Sequence, residues 1–330
     1  MTFCLQKRHR TLGKAEPANR ISKHKSKALR SIKLTADTLL YNRYPSGYHQ
    51  TQQEHDTMHE IIRFEHVSYT YEDGRQALSD LSATFSSGEK VAILGENGAG
   101  KSTFFLLCNG VLQPTHGQIF LEGIPVCAKR QSLNELRRNV GFVFQDPDVQ
   151  LLAGTVEEEI SFGPMNLGWS EAQVQKQVDA AIQNLHLDTF RTRAPQYLSG
   201  GEKKRVSIAD VLAMCPQLIL LDEPASSLDP SHASLLEENL SMLEARGIAL
   251  LIATHDVDFA WRWADRVLLF HEGHLLADTT PEAAFSDAGL LHACGLTQPI
   301  LYEVSQILNL SQPVHTLEAL RLAVKSSGHP

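Results

Sequence analysis

Val91-Ala92-Ile93-Leu94-Gly95-Glu96-Asn97-Gly98-Ala99-Gly100-Lys101-Ser102-Thr103 is the stretch from which the fold can be read. Its first four residues are a continuous apolar run, the pattern of a strand buried on both faces. Glycines at 95, 98 and 100 then let the backbone wrap closely around an anion, and Lys101 opens a helix. Unpaired N–H groups at a helix start, with the positive end of its dipole, favour phosphate oxygens. The spacing G-x-x-x-x-G-K-[ST] between strand and helix therefore predicts a triphosphate cradle, where an ordinary glycine turn is the bland alternative. In it Gly95, Asn97, Gly98 and Gly100 supply backbone, Lys101 reaches the β- and γ-phosphates, Ser102 holds Mg2+, and Thr103 lies beside them.

A second apolar run, Leu218-Ile219-Leu220-Leu221, ends in Asp222-Glu223-Pro224. Two carboxylates thus stand at the carboxyl end of a buried strand, where open α/β sheets place ligands. Asp222 suits Mg2+ coordination, directly or through water, and Glu223 suits a general base that polarises the attacking water. Ile248-Ala249-Leu250-Leu251-Ile252-Ala253 reads as a third buried strand, with His255 just beyond its end. Val140 to Phe144 reads as a fourth, feeding Gln145. Ser199 followed three residues later by Glu202 fits a capping box, so Ser199-Gly200-Gly201 opens a helix.

Taken in order, these segments resemble the ATP-binding subunit of an ABC transporter, from about Ile61 to about Phe285. By that resemblance Tyr71 is the aromatic that stacks on adenine, and Gln145 is the Q-loop glutamine that senses Mg2+ and water. Leu198-Ser199-Gly200-Gly201-Glu202 is the signature, Asp229 belongs to the D-loop Ser227-Leu228-Asp229-Pro230, and His255 is the switch histidine that contacts the γ-phosphate. The implied fold class is α/β: a P-loop NTPase core with an antiparallel β subdomain and an inserted α-helical subdomain. The ATPase domain would span residues 60–285, with the helical subdomain at about 146–198. The implied chemistry is ATP hydrolysis with Glu223, His255 and Gln145 catalytic. Ser199, Gly200 and Gly201 of one protomer would close over ATP held by Lys101 of another, in a homodimer or a heterodimer with a second ABC ATPase.

The segment Asp146-Pro147-Asp148-Val149-Gln150-Leu151, with Thr155 to Pro164 and on to Leu167, resembles the energy-coupling-factor importers, closest to the cobalt and nickel uptake ATPases. That resemblance implies a helical subdomain gripping a coupling helix of a membrane subunit, a further substrate-binding membrane subunit, and a peripheral place on the cytoplasmic face of the cell membrane. A vitamin importer of the same type is the alternative solute class. Gly163-Pro164 is expected to interrupt any helix there. Leu198 through Met214 resembles the same group, but Asp210 stands where the family usually has a small residue, which puts the packing of that helix in doubt.

Charge divides the chain. Residues 1–59 carry eleven Lys or Arg against four Asp or Glu, whereas the remainder carries nineteen against thirty-four. The first segment lacks sustained periodicity and reads as a basic, mostly disordered extension: a transit peptide, a membrane-surface tether, or an upstream-extended reading of the gene, since Met58 stands just before Ile61. The last is the reading we favour. No apolar run in the sequence approaches the roughly 18–20 residues of a membrane helix, so membrane passage must come from another subunit. Five scattered cysteines without a C-x-x-C pair suit a reducing compartment. His271-Glu272-Gly273-His274 reads as a surface turn rather than a metal site, because two histidines around a glycine make no complete ligand set.

Residues 61–85 read as short strands and turns, Ser170 to Leu185 as an amphipathic helix, and Ser231 to Arg246 as a helix ended by Gly247. Residues 286–330 read as a tail of short helices around Pro299 and Pro313. A soluble ABC protein of DNA repair or translation would bring paired cassettes or a long coiled-coil insertion, and neither is visible. A small-molecule kinase would not carry Leu198 to Glu202. No nucleic-acid partner is therefore expected.

Overall fold

The computed structural model describes residues 59–226 and 230–326. The expectations for the basic extension before Met58 and for Asp229 lie outside the described residues.

Among the described residues ten strands form two sheets. β1 (Glu60–Thr70), β2 (Gln76–Ser86), β4 (His116–Leu121) and β5 (Ile124–Pro125) make an antiparallel sheet in the order β2-β1-β4-β5. β3 (Lys90–Leu94), β6 (Val140–Val143), β7 (Leu218–Asp222), β8 (Ala249–Ala253), β9 (Arg266–His271) and β10 (His274–Thr279) make the other, in the order β10-β9-β3-β8-β7-β6. All its pairings are parallel except β9 with β10. Those two join through a two-residue turn in which Glu272 and Gly273 both have positive φ, so the histidine-flanked segment is the surface turn its sequence suggests.

The continuous apolar runs follow from burial on both faces of this sheet. Along β3, Val91 and Ile93 enter one cluster with Phe104, while Ala92 and Leu94 enter another with Trp261 and Phe285. Along β7, Leu218 and Leu220 face the first cluster and Ile219 and Leu221 a third. Successive side chains of a strand point to opposite faces, so a strand covered on both sides has no polar positions to alternate with. The helix Lys101–Cys108 sits between the two sheets. Its Phe104 ring has centroids of Phe64, Phe85 and Phe270 within 5.1, 5.8 and 5.5 Å, which joins β1, β2 and β9 through one fully buried side chain.

Helices Val156–Asn166, Glu171–Asn184 and Gly200–Ala213 share the third cluster through Val156, Ile160, Val178, Ile182, Val206 and Ile208. Two expectations are corrected here. The helix from Val156 runs through Gly163 and Pro164 to Asn166 instead of breaking. Pro164 lies in its last turn, and the bare Cα of Gly163 is what lets the helix approach Met214: a Cβ there would stand 2.7 Å from that side chain's Cγ and Sδ. Residues 61–85 form two eleven-residue strands rather than several short ones, with register shifts near His66 and Asp80, both at positive φ.

The remaining segments follow their sequence signals. The helix Glu171–Asn184 starts at a Ser170–Gln173 capping box, and the helix Pro230–Glu244 is followed by Gly247 at φ 73°. Short helices Pro281–Ser286, Ala288–Ala293 and Ile300–Ile307, with Leu317–Ser326, make up the C-terminal part. Trp261 holds that part to the helix Val257–Trp263: its indole Nε1 donates to Val314 O at 2.9 Å and its ring stacks on His315 at 4.0 Å.

Candidate nucleotide-binding site

The carboxyl ends of β3, β7 and β8 open on one cleft. Tyr71, Asn97, Gly98, Gly100, Lys101, Ser102, Thr103, Gln145, Asp222, Glu223 and His255 all line it. Five segments spread over 184 positions of the chain meet there, and the sheet order, in which β3 and β7 flank β8, gathers those that follow these three strands.

The loop after β3 is built around its lysine. Lys101 is 7 % exposed and its Nζ donates to the carbonyls of Gly95 at 2.6 Å and Glu96 at 3.1 Å. Burial lowers the pKa of the ammonium, while the charges of Glu223, Asp222 and Glu96 oppose that shift. Gly100 caps the helix at φ 106°, and a Cβ there would stand 2.7 Å from the Ala77 carbonyl oxygen. Only glycine supplies this backbone without a clash. No side chain caps the helix start, so its first N–H groups face the cleft unmasked by a capping oxygen.

Ser102 and Asp222 meet directly: the serine hydroxyl donates to Asp222 Oδ2 at 2.8 Å across 120 residues of chain. Burial raises the Asp222 pKa, with the Ser102 hydrogen bond working against the rise and the Glu223 charge adding to it. Glu223 stands at φ 43°, a left-handed conformation that costs an ordinary residue on the order of 1–3 kcal/mol. Its N–H is held by Ala253 O at 2.9 Å, and its carboxylate turns back onto the end of β8. There His255 Nδ1 lies 3.0 Å from both carboxylate oxygens, and Thr254 Oγ1 donates to Oε2 at 3.4 Å. The carboxylate is nearly buried, whereas the His255 side chain is 71 % exposed toward the opening. Tyr71 donates or accepts a hydrogen bond of 2.9 Å with Thr103, and the Arg75 guanidinium lies 4.8 Å from its ring centroid.

The signature residues stand elsewhere. Ser199 is the N-cap of the helix Gly200–Ala213, with its capping box to Glu202 complete, and neither Ser199, Gly200 nor Gly201 lines the cleft. Ser199 and Gly200 are exposed, while Gly201 is buried against the body of the molecule. Asp210, the departure noted in the sequence, leaves that helix unbroken: Gln150 Nε2 donates to its Oδ2 at 3.0 Å. Burial pushes the Asp210 carboxyl up to about 7, with the charge of Glu159 adding to the rise and Gln150 opposing it.

Several neighbours of the cleft carried no signal in the sequence. Arg75, Gln76 and Ala77 line it from the turn into β2, and Thr254 touches Glu223. Lys204 reaches Gln145 from the signature helix, its ammonium 2.8 Å from the Gln145 carbonyl oxygen.

Residues 78–226 match the family described as ABC transporter. The energy-coupling factor transporter ATP-binding protein EcfA of Methanocaldococcus jannaschii is 41 % identical over 76 % of this chain and 89 % of its own length. EcfA2 of Methanospirillum hungatei JF-1 is 46 % identical over 76 % of this chain, which spans 63 % of that longer protein. Among solved structures, cbiO1 from Clostridium perfringens, part of the ABC transporter complex cbiONQ, superposes with a TM-score of 0.64 at 35 % identity over 76 % of this chain and 99 % of its own. The ATP-binding cassette MJ0796, solved as a dimer bound to ADP and Pi, gives 0.60 at 28 % identity over 67 % of this chain and 99 % of its own. The chain belongs to the ATP-binding subunits of ABC transporters, in the energy-coupling-factor group. This cassette therefore binds and hydrolyses ATP. Among the described residues no helix is long and apolar enough to cross a membrane.

Proposed function

We propose that this cassette drives solute uptake by closing, with a second ATPase chain, over two ATP molecules at the cytoplasmic face of a membrane. The observation that carries the reading is the cleft itself, where a phosphate loop, a Ser102–Asp222 pair and a Glu223–His255 pair converge. Lys101 and the loop amides hold the triphosphate. Tyr71 offers its ring to the base, beside Arg75. Ser102 Oγ and Asp222 Oδ2 are hard oxygen donors side by side, and the raised pKa of Asp222 next to Glu223 is the electrostatic state a divalent cation relieves. These residues, with Gln145, fit Mg2+, which when bound neutralises charge on the β- and γ-phosphate oxygens. Glu223 takes the proton of the attacking water, a role of order 10²–10⁴-fold in rate. His255 holds that carboxylate in place and presents its exposed ring toward the γ-phosphate.

The exposed N-terminus of the signature helix supports closure in trans. Ser199 and Gly200 face solvent at the start of that helix, away from the cleft of their own chain. Asp229 would join this closure from the D-loop. The dimeric cassette MJ0796 supports such pairing, with a second copy or a related ATPase as partner. Val149, Leu152, Phe162 and Met165 are 62–83 % exposed on the segments 147–152 and 156–166, a surface suited to a helix of a membrane coupling subunit. We read residues 60–285 as the ATPase domain, about 146–198 as its inserted helical part and 286–330 as an appended tail.

For the solute, the segment from Asp146 to Leu167 favours a transition-metal ion, cobalt or nickel, carried through separate membrane subunits. The test is purification of the chain from membranes with its associated subunits, followed by uptake of labelled Co2+ and Ni2+ into vesicles. ATP-dependent accumulation of either ion is the expected result. Uptake of a vitamin instead would move the assignment to that branch, and recovery with ribosomes or nucleic acid would refute the transport reading.

A further inference from the structure

Among the described residues two lysines are buried, Lys101 and Lys204. The first belongs to the phosphate loop. The second, 3 % exposed, lies in the first turns of the helix Gly200–Ala213 and points back into its own subunit. Its Nζ donates to Phe144 O at 2.9 Å and Gln145 O at 2.8 Å. A buried ammonium gives up its hydration, so it is kept only where other oxygens replace that water. Here they are two consecutive backbone carbonyls, at the point where β6 ends and Gln145 enters the cleft.

Lys204 is one of several ties along the same helix. Lys203 Nζ meets Asp148 Oδ1 at 2.6 Å. Gln150 Nε2 donates to Ser207 O at 3.1 Å and to Asp210 Oδ2 at 3.0 Å, while Gln150 Oε1 accepts from Phe144 N at 3.3 Å. Positions 203, 207 and 210 recur at helical spacing, so one stripe of the helix is stitched to residues 144–150 over two turns. Without those ties the segment after β6 would hang from the strand end and the four-residue helix Pro147–Gln150 alone.

We propose that Lys204 is a positioning residue for ATP hydrolysis: by gripping the Phe144 and Gln145 carbonyls it sets where the Gln145 side chain stands, and makes the signature helix and the Q-loop move as one body. The proposal rests on Gln145 serving the nucleotide site. Movement of the signature helix onto a partner's nucleotide is thereby delivered to Gln145 at the chain's own nucleotide. Burial lowers the Lys204 ammonium to about 8, opposed by Asp222 and Asp146, in keeping with a cation held by carbonyls rather than by a carboxylate partner.

The test is a mutant cycle in the full chain, with kcat and KM for ATP measured at saturating Mg2+ for Lys204→Met, Lys204→Arg, Gln145→Ala and the double variant Lys204→Met/Gln145→Ala. Expected is a kcat about tenfold lower in Lys204→Met with KM within about twofold, because positioning rather than nucleotide binding is lost. Arginine, which retains donors, should restore kcat to within about threefold of the parent. The double variant should be no slower than Gln145→Ala alone, since residues acting through one another are not additive. Independent, multiplying losses, or a loss confined to KM, would overturn the proposal while leaving Gln145 in the site. Full activity in Gln145→Ala would overturn both the proposal and that site assignment. Should Lys204→Met not fold, Lys204→Gln, whose shorter side chain keeps an amide NH2, carries the same test with a smaller expected fall in kcat.

Discussion

Asp210→Asn is the substitution whose outcome the structure specifies most closely. The folded protein holds this carboxyl at about 7 against an ordinary aspartate value of 3.8. Between about pH 4 and pH 7 the native state therefore binds a proton that the unfolded chain has released, and stability falls as pH rises through that window. At ~1.4 kcal/mol per pH unit the cost of holding the ionised form is at most about 4 kcal/mol above pH 7. Asparagine keeps an acceptor for Gln150 Nε2 and never ionises. Its amide NH2 replaces an oxygen near Glu159, whose Oε2 is already taken by the N–H groups of Leu152 and Ala153 at 2.7 and 2.5 Å. The expected result is near-equality with the parent at about pH 4 and a gain of roughly 2–4 kcal/mol at about pH 8.5. For a chain of this size that is on the order of 4–10 °C in Tm. The assay is paired thermal and urea unfolding across that range. A stability difference that does not change with pH, or a variant that loses stability most at high pH, would refute the reasoning that burial of this carboxylate is the dominant cost.

Two further outcomes follow from the packing and from the cleft. Glu223→Gln should retain ATP binding, lose hydrolysis by about 10²–10⁴-fold and accumulate a closed dimer with Mg-ATP, read by sedimentation; a variant that remains monomeric under those conditions would contradict the closure reading. Phe104→Ala should destabilise the chain by about 3–5 kcal/mol in urea unfolding, because the cavity opens among Phe64, Phe85, Phe105 and Phe270 at once. A cost below about 1 kcal/mol would mean that the two sheets do not depend on it.

The parallel sheet was legible because β3, β7 and β8 are unbroken apolar runs whose neighbours are loop glycines or carboxylates. The residues at their carboxyl ends were legible for the same reason: a strand's end fixes where its next side chain points, and sheet order then gathers those ends. Ser199 with Glu202 is a local signal, and the capping box it promised is present. What was not legible is non-local. Gly163-Pro164 looked like a break because the partner that explains Gly163, Met214, is fifty-one residues away. Asp210 stood out as a departure, but Gln150, which holds it, lies sixty residues upstream. Lys204 gave no signal because a lysine in a run of charged residues reads as solvated, and only the fold turns it inward. β1 and β2 were read too short because the residues at their bulges, His66 and Asp80, look like turn residues.

The aromatic contacts around Phe104 bear on where this molecule can yield. The helix carrying Lys101 and Ser102 is wedged between two sheets by side chains that touch both, so the floor under the phosphates is preorganised before any nucleotide arrives. Little of the binding free energy is then consumed in ordering the pocket. It remains available for displacing the outlying helices, and on the proposed transport role the work done on a partner subunit would be drawn from that displacement.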